Sequence, residues 1–454
     1  RGHVRPDGPL PAGDLGRLRR HGQNGRRRNA GAVAHLCGGR RSAQRRPAQR
    51  RRRRPSGGGG PSLHAGPARP GRSGTAGGGA LMRLRLAAAF PAALLTACTA
   101  EAPPEPPAPR VVSEGWPQAL ADWGQLAAGG GALVLGEEVT PYDLNTALFT
   151  DYALKLRTVW IPDGAGAAQY DETAAFDFPV GSVITKTFYY PRAGGGLTRV
   201  RADGAAMDHF DGRALDLTQV RLVETRILVR REDGWDAASY LWDDDQREAA
   251  LARTGAFVDL TLVSADGEAE ALDYLVPNTN QCANCHVTDT TDGRGVRPIG
   301  PKARHLNRDF EYFGRTANQI AVWSEAGLLQ GAPAPAEAPR AAAWASGVPI
   351  GALELEAAAR AYIDINCAHC HSRTGQADTS GLYLEPWEPF GPNFGVCKPP
   401  IAAGRGTGNR SFGIVPGDAD ASIFAFRMAS TRADIMMPEL GRASTHEEGV
   451  ALIS

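Results

Sequence analysis

The chain has 454 residues, a length that corresponds to two or three domains with ample core. Its charges are unevenly distributed: residues 1–81 hold 19 arginines and two acids, whereas the part from Cys98 onward holds 29 basic and 47 acidic side chains. The net charge of about −18 on that larger part excludes nucleic acid as a partner and favours a partner with a basic docking surface.

Residues 1–81 are rich in Arg, Gly and Pro, and the first methionine of the chain is Met82. Low-complexity tracts of this kind do not form a core. They are either a disordered basic leader of the type that binds nucleic acid or the translation of DNA upstream of the true start. We favour the second interpretation and expect the functional protein to begin beyond residue 81.

Residues 82–97 place two arginines before a short apolar run, which is the order found in a secretory signal peptide. The run ends in Leu95-Thr96-Ala97-Cys98, which resembles the lipobox of bacterial lipoproteins and predicts a lipid on Cys98. Residues 98–113 are mostly Pro, Ala and Glu and form a tether. We expect a periplasmic protein anchored to the membrane by this lipid, and Thr99 favours the outer membrane.

Residues 114–277 alternate apolar and polar side chains with the period of two that is typical of strands. The clearest runs begin at Phe176, Thr218 and Phe257, and Asp233-Gly234 between two runs predicts a hairpin. The pattern predicts an antiparallel β-sandwich or barrel-like domain. Such a domain serves either as a scaffold or as a module that binds a glycan or another partner.

Two copies of Cys-x-x-Cys-His carry the chemistry of the sequence. The first motif is Cys282, Cys285 and His286, and the second motif is Cys367, Cys370 and His371. This is the attachment signature of haem c: both thiols bond to the porphyrin and the adjacent imidazole binds its iron. A four-cysteine zinc site normally has its halves 15 to 20 residues apart, and a thioredoxin-like motif requires a βαβ unit, so two covalent haems are favoured.

The ligand opposite His286 is left open by the sequence. Residues 278–350, which form the first haem segment, contain His305. A distant methionine, Met428 or Met207, is the second alternative, and a vacant position is the third. Gly300-Pro301 resembles the turn that offers a backbone carbonyl to the proximal imidazole in small cytochromes. A helix is predicted from Ala317.

Residues 351–454 form the second haem domain. Apolar residues at helical spacing before Cys367 predict a helix that leads into the second motif. Met437 precedes Pro438, the usual setting of a distal ligand, so Met437 is assigned to the second haem with Met436 as the fallback. Further helices are predicted near Asp420 and at the C-terminal end, where we expect the natural chain to continue past Ser454.

Residues 115–454 resemble an uncharacterised family of bacterial di-haem c-type cytochromes with a β-rich N-terminal half. The resemblance implies two covalent haems, export, electron transfer and association with a parallel β-helix partner. Segments that carry it, in chain order, are LNTALFTDYALKLR, FPVGSVITKTF, ETRILV, GWDAASYLWDDDQREA, PNTNQCANCH, IGPKARHLN, INCAHCH, GVCKPPIAAG and IMMPELGR.

The sequence therefore predicts an α+β multidomain protein in which the β-sandwich or barrel-like domain precedes a mainly α-helical, cytochrome c-type di-haem region. The expected function is electron transfer in the bacterial cell envelope without a catalytic residue. Two alternatives stay open: a di-haem peroxidase or oxidase with an open position on the first haem, and a glycan- or partner-binding β module that carries a haem relay.

Overall fold

The computed structural model describes residues 37, 101–205, 207–290, 293–346, 351 and 354–454. The described residues belong to one structural unit. The basic leader apart from Cys37, the signal peptide at 82–97 and the lipidation site at Cys98 lie outside the described residues. Within the described part of the chain, no helix combines the length and the apolar character needed to cross a membrane.

Eighteen short strands account for most of the regular structure in the described residues. The strands are β1 (Leu126–Gly129), β2 (Ala132–Leu135), β3 (Thr140–Tyr142), β4 (Leu154–Trp160), β5 (Ala168–Gln169), β6 (Val183–Pro191), β7 (Arg199–Arg201), β8 (Ala214–Asp216), β9 (Val220–Arg231), β10 (Gly234–Trp242), β11 (Ala249–Leu251), β12 (Ala256–Val263), β13 (Ala269–Val276), β14 (Val287–Thr290), β15 (Gly293–Val296), β16 (Asp309–Tyr312), β17 (Arg315–Asn318) and β18 (Leu329–Gln330).

The central sheet has six strands in the order β11-β10-β9-β6-β4-β3, and every neighbouring pair is antiparallel. The predicted hairpin at Asp233-Gly234 is confirmed, because β9 turns into β10 there and Arg231 pairs with Gly234. The register between β6 and β9 shifts once, between Phe188 and Tyr189. Side chains of successive residues point to opposite faces, so this sheet presents two different surfaces.

One face of the central sheet packs against the small sheet β1-β2-β8. Leu156 of β4, Leu222 of β9 and Leu133 of β2 belong to a single buried cluster that joins the two sheets. A Trp123–Tyr240 hydrogen bond of 2.8 Å closes the edge of this layer. This face is therefore filled by side chains of the β-rich half alone.

The opposite face of the central sheet is shared between two covers. At one end, Phe188 packs with Leu260 of the β12-β13 hairpin. At the other end, Ile184 packs with Leu306 and Ile365, which come from the two segments with the Cys-x-x-Cys-His motifs, 278–350 and 351–454. The sheet is thus the surface on which the segments with the Cys-x-x-Cys-His motifs are built.

Six short helices complete the described regular structure, and the longest has nine residues. They are α1 (Thr279–His286), α2 (Ala303–Leu306), α3 (Gln319–Glu325), α4 (Leu355–Ile363), α5 (Ile423–Met428) and α6 (Glu447–Ile453). Four predicted helices are confirmed: α3 from the run at Ala317, α4 before the second motif, α5 near Asp420 and α6 at the C-terminal end.

The predicted fold class is wrong in its second half, because no mainly α-helical cytochrome region is present in the described residues. Strands account for 30% of the described residues, and helical residues, with the 3-10 and wide turns included, for 17%. The chain forms the hairpins β14-β15 and β16-β17 after the first motif, and residues 375–422 form turns and short 3-10 segments. Gly and Pro are frequent in that stretch, and both residues disfavour a helix interior.

A substitution at Leu306 measures how strongly the central sheet is stabilised by the segments 278–350 and 351–454 that pack on it. The Leu306 side chain is 1% exposed and belongs to the cluster with Ile184. Leu306→Ala is expected to lower the free energy of unfolding by about 3 kcal/mol, because the buried methyl groups are replaced by a cavity. The same substitution at Leu355, which is 46% exposed, should change it by less than about 0.5 kcal/mol. Urea unfolding of both variants checks the difference, and equal effects would contradict it.

Candidate functional site

The first motif lies on α1, whose start is held by a reciprocal cap. The Asn278 side chain accepts a hydrogen bond of 2.9 Å from the Gln281 amide, and the Gln281 side chain accepts one of 2.9 Å from the Asn278 amide. The cap fixes the start of this helix of eight residues, which makes about two turns. Cys282 and Cys285 are three residues apart, so their thiols lie on the same side of this helix.

His286 ends α1 with its ring oriented by the backbone. Its Nδ1 lies 2.8 Å from the carbonyl oxygen of Arg297, just before Pro298. Burial lowers the pKa of His286 to about 4, so the neutral ring donates from Nδ1 to this carbonyl and leaves the Nε2 lone pair free. The assignment of the carbonyl to the Gly300-Pro301 turn was wrong by three residues, because the hairpin β14-β15 brings Arg297 back beside α1.

A narrow cleft of about 40 Å³ lies beside His286. Its walls come from the central sheet and from the 298–301 turn, and apolar side chains form most of its lining. Lining residues include Tyr142, Arg157, Ile184, Lys186, Leu228 and Ile365. This volume is well below the roughly 300 to 1,000 Å³ of formed small-molecule sites, so a haem attached to the first motif would lie largely outside the cleft.

The second motif follows α4 through a wide helical turn at Asp364–Ala368. The Asn366 side chain accepts a hydrogen bond of 2.7 Å from the Phe149 amide, which ties this turn to the β-rich half. Cys367 lies on the turn itself. The Nδ1 atom of His371 lies 3.4 Å from the Ser380 hydroxyl, and burial, followed by the charge of His369, lowers the pKa of His371 to about 4.

The predicted distal residues of the second motif lie on the loop after α5. Met436 is buried and Met437 is half-buried. The Met437 amide donates to the Arg427 carbonyl at 3.1 Å, and the charge of Arg427 acts on the pKa of His371. The loop with both methionines is therefore on the side of the molecule where His371 lies.

The alternative ligands of the first haem lie elsewhere. His305 is fully buried on α2, with its Nε2 atom 3.1 Å from an Asp364 carboxylate oxygen. Met428 packs in a cluster with Trp344 and Tyr362 beside the C-terminal helix. Neither residue lines the cleft beside His286, and in the described residues no methionine does.

The two motifs, 85 residues apart in sequence, are in contact. The ligand atoms of Cys285, His369 and Cys370 lie within 4.8 Å of one another. The Cys370 thiol is 3.4 Å from the Asn284 carbonyl, and the Asp289 amide donates to the Thr374 carbonyl at 2.8 Å. The hydrogen bond from Cys370 and the neighbouring His369 lower the pKa of Cys285. No pattern in the sequence signals this contact.

A row of cations crosses the sheet beside the first motif. Arg157 of β4 pairs in register with Lys186 of β6, and Lys186 pairs with Arg226 of β9. Sequence analysis missed this row, because the three residues are far apart in the chain. Burial, followed by the charge of Arg226, lowers the pKa of Lys186 to about 7.

Cys397 forms a disulfide with Cys37, with 5.1 Å between the Cα atoms. Cleavage before Cys98 would cut the chain between Cys37 and Cys397, so the leader would then stay attached only through this disulfide. The intact mass of the exported protein, measured with and without reduction, shows whether the leader is attached.

Comparison with family models, with curated proteins and with solved structures gave no match. The site is therefore judged on its own chemistry. Each motif offers two thiols on one turn and a histidine held neutral by burial, and the first adjoins an apolar cleft. These donors fit a covalently attached haem.

Proposed function

We propose that this protein is a di-haem c-type cytochrome that transfers electrons. The observation that carries the proposal is the contact between the two motifs, where Cys285 and Cys370 lie side by side. Electron tunnelling weakens steeply with distance, so two haems attached to adjoining turns would exchange electrons readily. A histidine with a free Nε2 atom beside an apolar cleft supports the same proposal at the first motif.

Each motif would hold one haem through its own residues. Cys282 and Cys285 would form thioethers to the first haem and His286 would bind its iron, with Cys367, Cys370 and His371 in the same roles for the second haem. Bound haem iron supplies a one-electron couple between the ferric and ferrous states. The protein contributes orientation of the imidazoles, exclusion of water and the charges around each group.

We also propose a location and a partner for the protein. We propose a lipid anchor at Cys98, a periplasmic location with the outer membrane favoured, and a partner with a basic docking surface. A parallel β-helix protein is the partner that the family resemblance implies. Localisation after fractionation of cells that carry the wild type or Cys98→Ala tests the anchor, because the variant should move to the soluble fraction.

The test of the function is the haem content of the protein made in a cell with haem-ligation machinery. We expect two covalent haems by intact mass, and a visible spectrum that changes reversibly on oxidation and reduction. Met437→Ala should convert the second haem from low to high spin and lower its potential, because thioether ligation raises the potential. Met436→Ala is the matched control. A colourless protein would refute the proposal.

One observation favours a second candidate function. The cleft beside His286 is lined by neither His305 nor a methionine, in the part of the chain that is described. A first haem without a strong distal ligand would leave its iron open to a small substrate, as in a di-haem peroxidase or oxidase. A high-spin component in the wild type, together with turnover of hydrogen peroxide, would favour this enzyme over the carrier.

A further inference from the structure

We propose that Lys186 and Arg157 bind the carboxylate groups of the first haem and thereby set its reduction potential. This inference rests on the proposed function and deepens it. It assigns a task to a face of the β-rich half that otherwise serves only as a scaffold.

Arg157 and Lys186 lie beside the histidine of the first motif. Arg157 and Lys186 pair in register on neighbouring strands and line the same cleft as His286. In the adjacent row of the same sheet face, Ile184 pairs with Leu228, and both line the cleft as well. The cleft thus has apolar side chains next to two cations, which is the arrangement that a carboxylate group at the edge of an apolar ring requires.

The two cations differ in their burial and in their partners. Arg157 is 4% exposed, and its Nη1 atom is 2.8 Å from Asp143, while its Nη2 atom has no partner among the described residues. Lys186 forms no hydrogen bond or ion pair in the described part of the chain; its ammonium group lies 5.1 Å from the centre of the Phe188 ring. Lys186 is half-buried, so the unpartnered Nη2 atom of Arg157 is the buried donor of the pair. A buried donor without an acceptor is costly, so a ligand with acceptor oxygens would be stabilised here.

The cations next to Lys186 have acidic neighbours. Arg226 is matched by Glu224, with a 2.9 Å hydrogen bond from its Nε atom. Asp143 is shared between Arg157 and Arg308, and Asp151 is the acid that acts on Lys155. Lys186 has no ion-pair partner of this kind among the described residues, and a carboxylate group of haem would provide one.

Charges in a buried site interact strongly, so removal of a cation near the ring changes the electrostatic potential at the haem iron. Loss of a cation near the ring stabilises the ferric form, which carries one more positive charge than the ferrous form. Neutralising Lys186 should therefore lower the potential of one haem and leave the other unchanged. The attachment of both haems should persist, because Lys186 takes no part in the thioether bonds.

The experiment is a redox titration of the purified holoprotein, with intact mass as the second readout. Lys186→Gln and Lys186→Met are expected to keep two covalent haems and to shift the reduction equilibrium of one haem at least tenfold towards the oxidised form, which is 59 mV for one electron. Lys186→Arg keeps the charge and should stay within a factor of two of wild type. Arg199→Gln on the exposed edge strand β7 is the control for loss of one positive charge.

The outcomes separate this inference from the proposed function. A wild type without haem refutes the function and this inference together. A two-haem wild type whose potentials stay unchanged in both neutral variants refutes the inference alone. So does loss of the low-spin spectrum in Lys186→Gln, because the amine would then be an iron ligand. If neither Lys186 variant folds, the same criteria apply to Arg157→Gln.

Discussion

Replacement of both cysteines in one motif is expected to remove one covalent haem from each chain and to leave the other in place. The double variant Cys282→Ala/Cys285→Ala should lose the haem of the first motif, and Cys367→Ala/Cys370→Ala should lose that of the second. Each thioether bond needs a thiol of its own motif, so the losses are independent. Intact mass and the absorbance of the haem band measure the number that remains.

The contact between the two motifs supports an alternative to haem attachment, namely a metal ion held by residues of both motifs. Cys285, His369 and Cys370 have the donor types of a zinc site, and their ligand atoms are within 4.8 Å of one another. If these three residues held a metal ion, either double variant would abolish the same single site. His369→Ala separates the two readings further, because it should leave both haems attached but would destroy a shared metal site. Equal loss of one bound zinc in all three variants would contradict the haem assignment.

The second large effect is expected at Asp364, a buried carboxylate at the contact between the segments 278–350 and 351–454. Its oxygens accept hydrogen bonds of 2.6 Å and 3.0 Å from the Arg304 guanidinium, and His305 lies 3.1 Å away. Asp364→Asn leaves the buried Arg304 charge without its counterion, so the free energy of unfolding should fall by about 4 kcal/mol. Denaturant unfolding of wild type and variant measures the difference.

The matched control is Asp434→Asn. Asp434 also pairs with an arginine, Arg432, at 2.9 Å, but both side chains are solvent-exposed. Exposed pairs contribute little, so this substitution should cost less than about 1 kcal/mol. A cost at Asp364 as small as that at Asp434 would show that Arg304 finds another partner and that the pair does not hold the segments together.

The same carboxylate predicts a dependence on pH. Burial alone would raise the pKa of Asp364, but the hydrogen bonds from His305 and Arg304 lower it far below its usual value. A depressed folded pKa means that the stabilisation is fully present above the unfolded value of about 4 and is lost as pH falls through the folded pKa. The stability difference between wild type and Asp364→Asn should therefore be constant from pH 5 to 7 and shrink below pH 4. A difference that grows on acidification would contradict this sign.

The predictions that the structure confirms rest on patterns among residues that are close together in the chain. The hairpin at Asp233-Gly234 and the helix before Cys367 depend on neighbouring residues, and both are present. The error in fold class has a different origin. A haem motif requires only one turn with two thiols and an imidazole, and it places no demand on the rest of the fold, so the surrounding chain is free to form hairpins and loops.

The amino-acid order alone determined the two Cys-x-x-Cys-His motifs, the strand-rich half and the acidic balance of the part after Cys98, because each depends on residues close together in the chain or on composition. Only the tertiary structure placed Cys285 against Cys370, set the Arg297 carbonyl on His286 and aligned Arg157 with Lys186. These contacts join residues between 11 and 85 positions apart. Their geometry is set by sheet register and by the packing of one segment on another, and neither leaves a periodic trace in the sequence.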